Sequence, residues 1–394
     1  MIKRVLHIAM IVLLSISGFA QQQDLFYQIL TEVKNNPQTD IIQRHESKLR
    51  NDELLSDNLA KALDAQGHKF AAFRIAHLHQ NTEWAIYFLA RESALQNDAK
   101  TACALLTKHM SSKNRVLRSE IRSCPDFNPI RKSSEWQNLW NNNFYKEADL
   151  SYESALNYYD NTHYQWALEE INALILQFPD RHLYYAFRAD VYLKLRQPAQ
   201  AIRDIETAMS GYSRNADYYL TAAEAYAETG NKRKALSALE SAAKINPYNF
   251  AAKKRQIKIA QQIGAQEMLI QSASAYAAFT DDIESIYMIA EAEQQRGNHT
   301  DAIILMNKVL EKSTAKADYF IVRADAFMAT RSWSNAMKDY AMALDVNPNL
   351  PQVYINYGIC RLENGDREGA CYLWKRALHY KHPQANQYLY KWCE

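Results

Sequence analysis

Four groups of residues in this chain have side chains that could do chemistry. His77 and His79 lie two apart in AHLHQ, and His379 and His382 lie three apart near the end. On a helix the first pair diverges by about 200°, so the two imidazoles cannot share a metal ion. The second pair could face one another, but no neighbouring Asp, Glu or Cys completes a site, and packed or solvated histidine is the expectation for both. The run KKRQIK, Lys253 to Lys258, could meet phosphate. A formal net charge of +2 gives nucleic acid no further support, so a solvated helix face is expected there. Five cysteines, Cys103, Cys124, Cys360, Cys371 and Cys393, form no metal-ligand spacing. The glycine-rich phosphate loops, the nucleophile elbow and the His-Glu-x-x-His pattern are all missing from the sequence. Neither a catalytic site, a metal nor a cofactor is therefore expected.

What must position any site is a set of helices. Nine glycines and nine prolines in 394 residues are too few for an all-β fold of tight turns, and 48% hydrophobic residues suffice for a large core. Residues Lys3 to Ala20 read as a basic n-region, an apolar stretch and a small-residue cleavage site before Gln21. A signal peptide over 1–20 is expected, with export of the remainder to the periplasm or the periplasmic face of an outer membrane. No Cys follows the cleavage site, so no lipid anchor is expected, and no later stretch has membrane-spanning length. An uncleaved anchor is the alternative.

From Ala148 onward a unit recurs at His182, Ala216, Phe250, Ile283, Ala317 and Pro351, in five steps of 34 residues and one of 33. The eighth position holds Ala155, Ala189, Ala223, Ile257, Ala290, Ala324 and Gly358. The twentieth holds Ala167, Ala201, Ala235, Leu269, Ala302, Ala336 and Ala370. Small residues twelve apart let two antiparallel helices cross closely. Tyr158, Tyr192, Tyr226 and Phe327, at the eleventh position, are expected to fill the wider gap beside each crossing. Gly230, Gly264, Gly297 and Gly365 supply the turn, and Pro179, Pro247 and Pro348 end the second helix.

This pattern resembles the tetratricopeptide repeat, a 34-residue helix–turn–helix unit. The resemblance covers units 148–181, 182–215, 216–249, 250–282, 283–316, 317–350 and 351–384, and residues 385–394 would end a C-terminal capping helix. It implies an all-α, right-handed superhelical solenoid. Unit 250–282 departs most from the pattern, and altered helix packing is expected there. In the N-terminal region, 21–147, Ala60/Ala72 and Ala90/Ala102 repeat the spacing of twelve, so degenerate units are expected at about 53–82 and 83–116. Pro125 and Pro129 then interrupt any helix, and Ser134 with Gln137 reads as a capping box that starts a new one. Cys371 follows the close-contact Ala370, and Cys393 falls on the capping helix behind it. A Cys371–Cys393 bridge is expected, with separate buried thiols as the alternative.

Members of this family bind an extended or helical peptide along their concave face. The resemblance implies that this chain is a non-enzymatic protein–protein scaffold of the bacterial cell envelope, serving secretion, motility or envelope assembly. The second, fifth, ninth and twelfth residues of each first helix line the concave face in the family, and their spacings put them on one helical stripe. Here the stripe contains Asp149, Asp190, Asp217, Glu224, Glu284, Glu291, Asp318 and Asp325, against only Lys254 and Lys258. Tyr152 and Tyr287 stand beside the acids. A partner with a basic segment is expected, and the sequence sets no oligomeric state. Two alternatives are an enzyme with its site in 24–147 and a co-chaperone that clamps a C-terminal carboxylate. The clamp needs Lys and Asn at the fifth and ninth positions, where Tyr152/Leu156, Ala186/Asp190 and Leu220/Glu224 stand instead.

Overall fold

The computed structural model describes residues 19–36 and 40–393, so the expected leader lies, but for its last two residues, outside the described residues. The described secondary structure is helical, and the described residues up to Gly264 and those from Ala265 form two compact units.

The first unit opens with α1 (Phe19–Asn35), α2 (Ile41–Arg44) and α3 (Glu46–Asn51). Two helix pairs follow, α4 (Glu53–Ala65) with α5 (Lys69–Leu78) and α6 (Glu83–Leu95) with α7 (Ala99–Met110). Ala60, Ala72, Ala90 and Ala102 are all fully buried at the crossings. The turn residues Gly67 and Asn97 both have positive φ. Helix α8 (Arg118–Ser123), a 3-10 turn over Pro125–Ile130 and α9 (Ser134–Leu139) then cover the second pair, with Phe127, Trp136 and Leu139 in one core with Tyr87 and Leu106. The cap of α9 is one residue earlier than the sequence pattern implies. Ser133, in extended backbone, accepts from the Trp136 N–H at 3.2 Å, whereas Ser134 is already helical.

The regular pairs are α10 (Glu147–Asp160) with α11 (Tyr164–Gln177), α12 (His182–Lys194) with α13 (Pro198–Gly211), and α14 (Ala216–Glu228) with α15 (Lys232–Ile245). Each stacks on the next, and every alanine at the eighth and twentieth positions of these pairs is buried without exposed surface. The tyrosines at the eleventh position do not fill the core. Tyr158 and Tyr226 sit at the edge of their pairs, where Tyr226 donates its phenol to Glu206 at 2.7 Å and underlies the Lys234 ammonium at 5.0 Å. A phenol needs a polar partner, and the edge supplies one. The buried aromatics of these pairs are instead Tyr184 and Tyr218, at the third position, and Phe187, at the sixth.

Unit 250–282 breaks the pattern in a definite way. Its first helix, α16 (Lys253–Ile263), starts three residues late and packs on α14 and α15. The residues before it are held by the N-terminal helices: Tyr248 stacks on Phe26 at 5.6 Å and donates to Asp52 at 3.3 Å, and Asn246 donates to Asn58 at 3.1 Å.

In the second unit, α17 (Gln266–Thr280) packs on α18 (Ile283–Gln295), which pairs with α19 (His299–Lys312). The pairs α20 (Ala317–Ala329) with α21 (Trp333–Val346) and α22 (Pro351–Glu363) with α23 (Arg367–His379) follow. The final helix, α24 (Ala385–Trp392), covers α23, with Tyr388 stacked on Trp374 at 5.1 Å. Cys371 and Cys393 are bonded at 2.04 Å, and Cys103, Cys124 and Cys360 are free thiols.

The fifteenth position is left-handed even where it is not glycine. Thr162, Arg196 and Arg331 have φ of 64°, 59° and 59°, against 77° at Gly230. A β-branched residue is strained there by about 1–2 kcal/mol, partly offset by the greater unfolded-state freedom of glycine. Thr162→Gly is therefore expected to stabilise the protein by about 1 kcal/mol, read as a rise in the denaturation midpoint; a fall would contradict it.

Candidate peptide-binding groove

The stripe residues sit on the first helices, but the structure gives them unequal surroundings. In the first unit, Asp149 accepts from Arg115 at 2.7 Å and from the Lys146 N–H at 2.9 Å. Tyr152 packs between Tyr184 and Phe187, with centroids 5.4 and 5.5 Å away, and burial raises its phenol pKa. Asp217 is exposed and accepts from Asn249 at 3.1 Å. Asp190 and Glu224 are held by a residue outside the stripe. Arg255 gives its Nε to Glu224 at 2.7 Å and one Nη to Asp190 at 2.9 Å and to Thr221 at 3.1 Å. Thr221 also donates to Asp190 at 2.9 Å. Burial raises the Asp190 carboxyl pKa, and the nearby guanidinium opposes that rise.

The late start of α16 accompanies this arrangement: Arg255 meets the acids, and Lys254 and Lys258 are exposed. The charge excess along the stripe is smaller than its own residues give, because Arg115, Arg255 and Lys316 supply cations from other positions.

In the second unit, Glu284 accepts from Lys316 at 2.7 Å and from the Tyr319 phenol at 3.1 Å. Tyr287 lies 5.2 Å from the Tyr319 ring. Asp325 accepts from the Tyr340 phenol and, at 3.2 Å, from Asn356. Asp318 is exposed. Glu291 is half-buried, and among the described residues it has no hydrogen-bond donor. Burial, then Asp318 and Glu284, raise its carboxyl pKa. A carboxylate so placed gains more from an arriving cation than one already paired.

One sequence signal could have exposed this arrangement. Arg-Ala-Asp occurs twice, at 188–190 and 323–325. In each copy the Arg clamps an Asp of the following helix through two bonds, Arg188 to Asp204 and Arg323 to Asp339, and reaches back to Asn172 or Asn307 at 2.8 Å. The Ala makes the crossing, and the Asp faces the stripe. The histidines are spoken for elsewhere: His77 meets Glu92 at 2.7 Å, His79 meets the Leu49 carbonyl at 3.0 Å, and His382 meets Gln352 at 3.0 Å.

Stacked helix pairs crossing at small residues, most of them turned by a left-handed residue, define a helical-repeat fold. A family model, the tetratricopeptide repeat, matches residues 188–250, and the other pairs repeat the same helix–turn–helix plan. Among curated proteins, DnaJ homolog subfamily C member 3 of Gallus gallus is 25% identical over 258 residues, covering 58% of this chain and 50% of that protein. The chain thus spans about half the length of that relative. Among solved structures, the C-terminal part of a repeat-containing protein from Cytophaga hutchinsonii is 19% identical, with a TM-score of 0.49 over 60% of this chain and 98% of that one. A tetratricopeptide repeat protein from Parabacteroides merdae is 17% identical, with a TM-score of 0.42 over 63% and 99%.

Proposed function

We propose that this chain is a non-enzymatic scaffold of the bacterial cell envelope that binds a basic peptide segment of a partner protein. The site is the first-helix stripe of the second unit, at Glu284, Tyr287, Glu291 and Asp318. The observation that carries this reading is Glu291, a half-buried carboxylate without a donor among the described residues, its charge disfavoured by burial and then by two acidic neighbours. Asp190 and Glu224 belong to the internal clamp of Arg255, so they are not part of the proposed contact.

Glu284→Gln, Glu291→Gln and Asp318→Asn together remove three charges without touching the crossings. At about 0.5 kcal/mol each, affinity for a basic peptide falls about tenfold with the helical content unchanged. Binding also weakens as ionic strength rises. Because the free Glu291 carboxyl has a raised pKa and a bound cation lowers it, affinity falls as the pH drops through the carboxylate range. Fluorescence anisotropy with the triple variant measures all three, and unchanged affinity would refute the site.

The envelope assignment is supported by the leader pattern at Lys3 to Ala20. Among the described residues no helix is long and apolar enough to cross a membrane. Mass spectrometry of the native protein is expected to find Gln21 at its N-terminus, and a cytosolic protein retaining Met1 would remove the assignment.

A further inference from the structure

The chain carries its own example of a ligand seat. Arg255 bridges the ninth residues of two consecutive units, Asp190 and Glu224, while Thr221 supports it from the sixth position. A shift of 101 residues carries this set onto the second unit: Asp190 onto Glu291, Glu224 onto Asp325, Thr221 onto Val322 and Arg255 onto Asn356. The acids are kept at both ninth positions, and the cation is not. Asn356 still reaches its acid, Asp325, at 3.2 Å, as Arg255 reaches Glu224. Val322 is apolar and nearly buried, so the sixth position gives Glu291 no side-chain donor.

We propose that Glu291 and Asp325 form a seat for a guanidinium, and that an arginine of the partner fills in trans the place that Arg255 fills in cis. This rests on the reading of the groove as a basic-peptide site and narrows it from any cation to arginine. A planar guanidinium presents several N–H donors in a fixed fork and can serve two carboxylates at once, as Arg255 does with separate nitrogens. A lysine ammonium is a compact, strongly hydrated charge and matches that geometry less well. Asn356 is then a specificity-determining residue, since its short neutral side chain leaves the seat to an incoming arginine.

The test uses the full chain with two labelled probes of equal charge, nona-arginine and nona-lysine, in fluorescence anisotropy at low salt. Nona-arginine is expected to bind about tenfold more tightly than nona-lysine. Asn356→Arg, which rebuilds the internal clamp, is expected to abolish that preference. Glu291→Gln is expected to do the same, and it keeps the proposal falsifiable should Asn356→Arg fail to fold by circular dichroism. Equal binding of the two probes to the natural sequence would overturn the arginine seat while leaving the acidic groove standing. Binding of neither would overturn the groove itself. A preference that survives both substitutions would place the guanidinium elsewhere and also end the proposal.

Discussion

Arg91→Ala is expected to lower the stability of the protein by about 3 kcal/mol, because it takes a shared guanidinium from the buried Asp126 and the half-buried Asp64. The Arg91 guanidinium gives two bonds of 2.8 Å to Asp64 and bonds of 2.9 and 2.8 Å to one oxygen of Asp126. It lies 5.2 Å from the centroid of Phe88 and 5.8 Å from those of Phe73 and Tyr87, so its charge is held in an apolar frame. Asp126 is itself almost wholly buried, and Lys69, at 2.7 Å, is the cation it would have left. These contacts join α4, α6 and the proline-containing turn, and they fix how the N-terminal pairs are covered. Arg91→Met, which keeps the length but not the charge, is expected to cost nearly as much. If denaturant unfolding shows Arg91→Met close to the natural protein, the packing of the stem, and not the charge, carries the stabilisation.

The second large effect is at the last close crossing. Gly358 stands at an eighth position, and a Cβ there would lie 2.3 Å from Nε1 of Trp374. Trp374 is fully buried and donates that N–H to the Ile355 carbonyl at 3.2 Å, so the indole cannot withdraw without losing its partner. Gly358→Ala is expected to destabilise by about 2 kcal/mol despite the better helix propensity of alanine, which alone would stabilise by about 1 kcal/mol. The cause is overpacking, so it should vanish when the indole is trimmed. In a double-mutant cycle, Gly358→Ala added to Trp374→Leu should cost far less than it does alone. Additive costs would show that the glycine is needed for some other reason.

Much of the fold is legible because the repeat states the same local physics many times. Ala155, Ala189, Ala223, Ala290 and Ala324 each mark a close crossing, and each is fully buried. Left-handed turns are legible where Gly230 or Gly297 stands and hidden where Thr162, Arg196 or Arg331 takes the same conformation. The late start of α16 is hidden for a different reason. It accompanies the contact of Tyr248 with Phe26, more than two hundred residues away in sequence, and no local pattern contains such a contact.

The candidate groove is legible to a similar degree. The positions of the acids follow from helical spacing, and the structure keeps them on the first helices α10, α12, α14, α18 and α20. Which acids are already neutralised depends on long side chains from other positions. Arg115 reaches Asp149 across 34 residues, and Arg255 reaches Asp190 across 65. A stripe read residue by residue therefore overstates its free charge. On the proposed reading the site narrows from the whole array to the second unit, because Asp190 and Glu224 are paired with Arg255.

The most direct measurement places a photo-crosslinking amino acid at Tyr287, beside Glu284 and Glu291, and irradiates the full chain in envelope extract. The crosslinked partner peptide is then sequenced by mass spectrometry. The scaffold account predicts a segment rich in basic residues, with a crosslink that fades at high salt and in the Glu284→Gln, Glu291→Gln, Asp318→Asn variant. A crosslinked segment that is itself acidic, or one captured equally by the variant, would contradict the account.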